Sequence, residues 1–159
     1  SPESILASSQ AAWAHWQELY ANQQTPQIGI LGHSLGAAAA LQLAETISVE
    51  RVVLLSPFTS VADMVKKMFG SWLIPLLQHR FENRGPLIQL LKRDPPPSIT
   101  IIHGTRDEVI PVEMGRELAA LNSEHIHYHE LIHSYHNTIL QDALPKILQE
   151  LQSIRKLSD

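Results

Sequence analysis

Gly32-His33-Ser34-Leu35-Gly36 sets a serine between two glycines, with an apolar run before it and an alanine-rich stretch after it. A serine on a sharp strand-to-helix turn exposes its hydroxyl at the carboxyl end of the strand. Small residues two positions to either side would let strand and helix approach each other. The Leu35 N–H, at the start of the helix, is then placed to face a developing oxyanion. A hydroxyl is a weak nucleophile until a base takes its proton, so a histidine and an orienting acid should follow downstream. Asp107 supplies the acid, a few residues past the β-branched run that ends in His103-Gly104, with Glu108 as its neighbour and competitor. The same aspartate could instead cap a helix opening at Pro111. Leu131 to Asn137 carries two histidines. His136 is the expected base, because Asn137 and a helix follow it, and His133 is the fallback.

A second cluster has metal-binding spacing. His125, His127 and His129 alternate, so a strand there would put all three on one face. With no cysteine in the chain and few acids nearby, the expectation is an exposed polar face and no native metal site. His33 and His103 flank the presumed site, and His33 is read as packing near the serine.

The elements that must position these groups alternate. Ser1-Pro2-Glu3 reads as a cap, a proline in the first turn and an acid behind it, opening a helix to about Tyr20 with Leu6, Trp13, Trp16 and Tyr20 on one face. Asn22 to Pro26 breaks it. Gln27–Leu31 is an apolar run without alternation, the pattern of a strand buried on both faces, and Ala37–Thr46 is a helix. Arg51–Leu55 and Ser98–Ile102 repeat the strand pattern, the latter after the linker Asp94-Pro95-Pro96-Pro97. A helix from Pro111 to about Leu121, a strand from Ile126 to Leu131 and a helix from near Pro145 complete the series. The last has Ile147, Leu148, Leu151 and Ile154 as its apolar stripe. Strands alternating with helices predict an α/β fold with a parallel sheet covered on both faces. Residues 61–93 carry no clear strand and read as a short, mostly helical, cap-like segment. Its Met64, Met68, Phe69 and Trp72 are either core residues or the wall of a pocket for an apolar acyl group.

The chain has 159 residues, 44% hydrophobic and 18% charged, which predicts one domain (1–159) with a substantial core and excludes a disordered tail. A net charge of -4 leaves no basic footprint, against nucleic acid and anionic membrane surfaces as partners. No apolar run is long enough for a transmembrane segment. Zero cysteines exclude disulfide scaffolds, thiolate zinc sites and cysteine nucleophiles. Ser1 stands where an initiator Met would, which suggests a processed or cut N-terminus. With no signal-peptide pattern behind it, the expected compartment is the cytoplasm.

At the serine turn, at Ser56-Pro57-Phe58-Thr59-Ser60, at Arg80-Phe81-Glu82-Asn83, at His103 to Pro111 and at His136-Asn137, the chain resembles the α/β-hydrolase superfamily, and within it the small serine hydrolases with a minimal cap. The order Ser34, Asp107, His136 is the order of that superfamily's triad. The resemblance implies Ser34 as nucleophile, Asp107 as orienting acid and His136 as general base, with neither metal nor organic cofactor. It implies a small acyl ester or thioester as substrate. A non-catalytic binding protein on the same fold, and an acyltransferase, are the competing readings.

Two departures from the pattern stand out. Where relatives have a glycine two or three residues before the histidine, this chain has His133, Ser134 and Tyr135. In relatives the first four strands, and the loop that donates a second oxyanion N–H, precede the helix that begins here at Ser1. The expectation is therefore the C-terminal part of the fold, with an open edge on the strand at Gln27–Leu31. A bare apolar edge is an aggregation template. Either the N-terminal portion of the same fold, as a separate piece, or a second subunit is expected to cover it.

Overall fold

Four parallel strands lie in the order β1 (Gly29–His33), β2 (Arg51–Leu55), β3 (Ser98–Gly104) and β4 (Ile126–Leu131), each paired with the next in the chain. The computed structural model describes residues 1–21 and 27–155, the side chains of Met68 and of 151–155 excepted. The breaker at Asn22 to Pro26 falls outside the described residues. The helices are α1 (Pro2–Tyr20), α2 (Leu35–Thr46), α3 (Val61–Phe69), α4 (Arg84–Leu91), α5 (Val112–Ala119), α6 (Ile139–Asp142) and α7 (Leu144–Arg155), with a short 3-10 helix over Ser71–Leu76. This is the expected α/β fold.

Alternate residues of the inner strands feed two cores. Val52, Leu54, Ile99 and Ile101 meet α2, α4 and α5 on one face, through Leu41, Ala44, Leu87, Leu90 and Leu118. Val53, Leu55 and Ile102 meet Ile139, Ala143 and Ile147 of α6 and α7 on the other. Every residue of β2 is buried, which explains its unbroken apolar run. Burying each such side chain contributes about 1.5–3 kcal/mol. Two polar ties close the layers. The Arg93 guanidinium donates to the carbonyls of Ala44, Glu45 and Ile47 at 2.7, 3.0 and 3.0 Å, capping the C-terminal end of α2. Arg51, at the start of β2, is ion-paired with Glu150 of α7 with little exposure of either side chain.

The cap-like segment is shorter than expected. Ser60 bridges Glu82, Val61 N–H donates to Phe81 O, and Asn83 N–H donates to Thr59 O, so the excursion closes on itself at 60–82. α4 lies beyond that neck, with Leu87 and Leu90 fully buried in the main core. It is a structural helix of the sheet, not part of a cap. The predicted α7 stripe is also corrected in part: Ile147 is buried, Leu148 is 48% exposed, and the side chains of Leu151 and Ile154 lie outside the described set. α1 has the predicted cap at Ser1, with Ser1 and Ser4 bonded reciprocally, yet none of its residues is buried. Trp13, Trp16 and Tyr20 stack along it with ring centroids 5.0 and 4.9 Å apart.

The two glycines of the serine turn are not equivalent. A Cβ on Gly32 would stand 2.4 Å from Gly36 O, 2.7 Å from Ala37 Cα and 2.8 Å from Ala40 Cβ, whereas one on Gly36 would meet nothing within 4 Å. The close approach of strand and helix therefore requires Gly32 alone, contrary to the symmetrical expectation. Gly32→Ala is expected to cost about 3 kcal/mol, because backbone has to yield. Gly36→Ala, within a helix, should be neutral or stabilise by up to about 1 kcal/mol. Urea unfolding of the two variants checks the contrast, and equal effects would overturn it.

Candidate active site

β1 delivers Ser34 into an unusual backbone conformation, with φ 56 and ψ -123, at the N-cap of α2. A positive φ is costly for a residue with a side chain and persists only where its surroundings impose it. Here the Ser34 N–H is held by Leu55 O of β2 at 3.0 Å and Gly32 is wedged against α2. Leu35 follows as the first helical residue, whose N–H has no acceptor within the helix by geometry.

β3 is two residues longer than expected, because Gly104 pairs with Leu131 of β4. Its end meets the loop after β4 in a tight seam. A Cβ on Gly104 would stand 2.3 Å from Ser134 O, and the N–H groups of Thr105 and Arg106 donate to Leu131 O and Ser134 O, each at 3.0 Å. On the other side of the seam His133 has φ 70, the left-handed region that favours glycine. In the stretch where the resemblance leads one to expect a glycine, the left-handed conformation is thus present, with a histidine adopting it. His133 N–H donates to Thr105 Oγ1 at 3.1 Å, and its side chain is exposed.

Across this seam three side chains form a hydrogen-bonded row. His136 Nδ1 lies 2.9 and 3.0 Å from the two carboxylate oxygens of Asp107, and His136 Nε2 lies 3.1 Å from Ser34 Oγ. A nitrogen facing a carboxylate must carry the proton, so Nδ1 donates and Nε2 is left to accept from the Ser34 hydroxyl. His136, 6% exposed, is the histidine that meets Ser34, and His133 points elsewhere. Asp107 also caps its own turn, Oδ1 accepting from Val109 and Ile110 N–H at 3.0 and 2.7 Å. It does not cap the helix at Pro111, which has no side-chain cap; one carboxylate closes its own turn and faces His136. Burial alone would raise the Asp107 carboxyl, but hydrogen bonds from His103, the Ile110 amide and His136 outweigh it and hold the group well below the usual carboxylate range.

Residues that sequence reasoning left aside complete the frame. Glu108, considered only as a rival to Asp107, accepts the His136 backbone N–H at 3.3 Å. His33 Nε2 donates to the His136 carbonyl at 3.1 Å, with the two rings 4.8 Å apart. Burial lowers the His33 pKa, and the charge of His136 lowers it further. Among the four apolar candidates, Met64 is partly buried against Phe58, Phe81, Ile110 and Met114. Phe69 and Trp72 are 59% and 73% exposed, and the Trp72 indole N–H donates to Phe69 O at 3.0 Å. Met68 lies in α3, its side chain outside the described set. His127 and His129 sit on the edge strand β4, and no group of three or more His, Asp or Glu among the described residues is arranged to hold a metal ion. No helix among the described residues is long and apolar enough to cross a membrane.

No family model matches the chain. An uncharacterized protein of Mycobacterium tuberculosis, in two strains, is 28% identical over an alignment of 155 positions that covers 93% of this chain and 54% of that protein. The chain thus spans about half the length of the curated relatives it matches. Among solved structures it is similar to an esterase of Pyrococcus furiosus (TM-score 0.63, 17% identity, 96% of this chain and 60% of that one). It is also similar to acyl-protein thioesterase 2 of Zea mays (TM-score 0.58, 19% identity, 96% and 65%). A protein of unknown function from Agrobacterium tumefaciens is a third (TM-score 0.63, 19% identity, 96% and 60%). The fold is that of the α/β-hydrolases.

The depressed Asp107 carboxyl has a consequence for stability. A group whose folded pKa lies below its unfolded value stabilises the native state above the unfolded pKa, about 3.9 for Asp, and that contribution is lost as pH falls through the folded value. Asp107→Asn should therefore destabilise the protein above about pH 5, with the gap to the unaltered protein closing below about pH 4. Unfolding free energies of the two proteins across this range test it, and a gap independent of pH would refute it.

Proposed function

We propose that the protein is a serine hydrolase of carboxylic esters or thioesters, working through an acyl-enzyme on Ser34. The observation that carries this reading is the hydrogen-bonded row from Ser34 through His136 to Asp107, with the tautomer of His136 dictated by its neighbours. Support of a different kind comes from the names of two proteins sharing the fold, an esterase and an acyl-protein thioesterase.

Ser34 Oγ attacks the acyl carbon while its proton passes to His136 Nε2. Asp107 keeps the Nδ1 proton in place and offsets the imidazolium charge. The Leu35 N–H receives the oxyanion of the tetrahedral intermediate. Collapse breaks the bond to the alcohol or thiol, which leaves with the proton from His136. Water then gives a proton to His136, attacks the acyl carbon and releases the acid, restoring the Ser34 hydroxyl. All of these steps draw on side chains and one amide, without a metal or organic cofactor. The free edge of β1 is covered in the working protein by the N-terminal portion of the same fold or by a second subunit. The exposure of Leu31 on that strand, 43%, supports such a cover.

Intact mass spectrometry before and after a fluorophosphonate probe tests the proposal and reveals any companion chain in the same spectrum. A single adduct is expected, absent in Ser34→Ala, with Asp107→Asn lowering ester turnover about 10³- to 10⁴-fold. Absence of an adduct on the unaltered, folded protein would leave a binding role on the same fold.

The 61–82 excursion is assigned the acyl side of the substrate through Met64, Met68, Phe69 and Trp72. The exposure of Phe69 and Trp72 supports this. Trp72→Ala is expected to shift the preferred acyl length or to raise KM by about tenfold, since one large apolar contact carries 1–3 kcal/mol of discrimination. Unchanged KM and an unchanged chain-length series would remove Trp72 from the substrate site.

A further inference from the structure

A second imidazole faces Asp107, at the carboxylate oxygen that also receives His136. His103, in the extension of β3, is fully buried, and its Nε2 lies 3.0 Å from Ile110 O and 3.4 Å from Asp107 Oδ2. Both neighbours are acceptors, so Nε2 carries the proton, and the buried Nδ1 is left without a hydrogen-bond partner. A buried polar atom without a partner has a cost and calls for a reason. The residue that Nδ1 faces supplies one: a Cβ on Gly115 would stand 2.5 Å from Nδ1. Gly115 lies inside α5, where glycine costs about 1 kcal/mol relative to alanine, and nothing about its backbone calls for glycine. The fold therefore gives up helix stability at 115 and hydrogen bonding at Nδ1 to seat this ring.

The seat controls one turn. Ile110 accepts from His103 through its carbonyl and donates to Asp107 Oδ1 through its amide, at 3.0 and 2.7 Å. His103 thus holds the Asp107 turn at its far end, while its own N–H faces the carboxylate oxygen that receives His136. We infer that His103 is a positioning residue for the Ser34 reaction, aiming the Asp107 carboxylate at His136 and withdrawing part of its negative charge. The inference rests on the reading of Ser34, His136 and Asp107 given under Proposed function. The groups that face His136 are Asp107 and Ser34 on its ring nitrogens, Glu108 on its backbone amide, and His33 against its ring and carbonyl.

The direction of the effect follows from the charge. Removing the His103 N–H leaves the Asp107 carboxylate with one donor fewer, so it stabilises a protonated His136 more strongly. In His103→Phe the titration of His136, followed by NMR of its imidazole, should move upward by about half a pH unit or more. The acid limb of kcat/KM should move with it, kcat should fall about tenfold as the carboxylate loses its aim, and KM should stay put. His103→Gln, whose amide N–H reaches the place of Nε2, should recover most of both. Gly115→Ala, which pushes on Nδ1, provides the same readout if His103→Phe does not fold. An unshifted His136 titration in folded His103→Phe or Gly115→Ala would overturn the inference, as would His103→Gln behaving like His103→Phe. The NMR titration needs no turnover, so it judges His103 even if fluorophosphonate leaves Ser34 of the unaltered protein unlabelled. That second result would count against the hydrolase reading alone.

Discussion

Where the end of β3 crosses the loop after β4, backbone meets backbone with no side chain between. The Gly104–Ser134 approach, too close for a Cβ, and the two N–H bonds across it set the positions of Asp107 and His136 together. Asp107 lies three residues past one side of this seam and His136 two residues past the other. A row of hydrogen bonds near 3 Å tolerates errors of only tenths of an ångström, and a free loop ordered on demand would lose that precision to conformational entropy. Here the ordering is completed during folding. The left-handed backbone at His133 belongs to the same constraint: the chain must turn sharply to leave β4 and still present His136. The strain at 133 and the missing Cβ at 104 are two sides of one fit.

The charge of Asp107 is handled by the same local geometry. A carboxylate this well enclosed would rise in pKa if left to burial, yet it is held low by the side chains of His103 and Ser56, then by the Ile110 amide and His136. His136 bonds the carboxylate, and His103 faces the same Oδ2 at 3.4 Å. The turn that positions the acid thus adds one amide, that of Ile110, to the side chains that keep it ionised.

Much of this was legible in residue order. β2 and β4 run to their predicted ends because β-branched and apolar residues there have no competing turn signal. β1 and β3 ran on past their predicted ends into Gly32-His33 and His103-Gly104, residues that locally favour a turn. Parallel pairing with Leu54-Leu55 and Glu130-Leu131 overrides that preference, and pairing is not visible in a single segment. The same blindness hid the place of α4 in the main core, because the partners of Leu87 and Leu90 sit in α2 and on the sheet. At the site, residue type and order pointed to Ser34, Asp107 and His136. The frame around them was less accessible, because His33, His103 and Glu108 act through backbone atoms and through turns that only the assembled sheet brings close. Gly115 was the available signal for His103, a glycine in a helix where nothing local required one.

The row of three side chains depends on only one side of β1. Ser34 is fixed by Leu55 of β2 and by Gly32 against α2, and Asp107 and His136 by the seam between β3 and β4. None of these restraints crosses the far edge of β1. A partner on that edge would therefore be an addition, with the geometry of the row not defined by it. By the resemblance to the α/β-hydrolases, the addition would be a second N–H toward the oxyanion and more wall for the substrate, groups that touch the reacting carbonyl and not the side chains that activate Ser34. On the reading proposed above, activation of the serine and one oxyanion donor, the Leu35 N–H, both lie on this side of β1, so a cover on the far edge would strengthen transition-state binding without setting the polarity of the row.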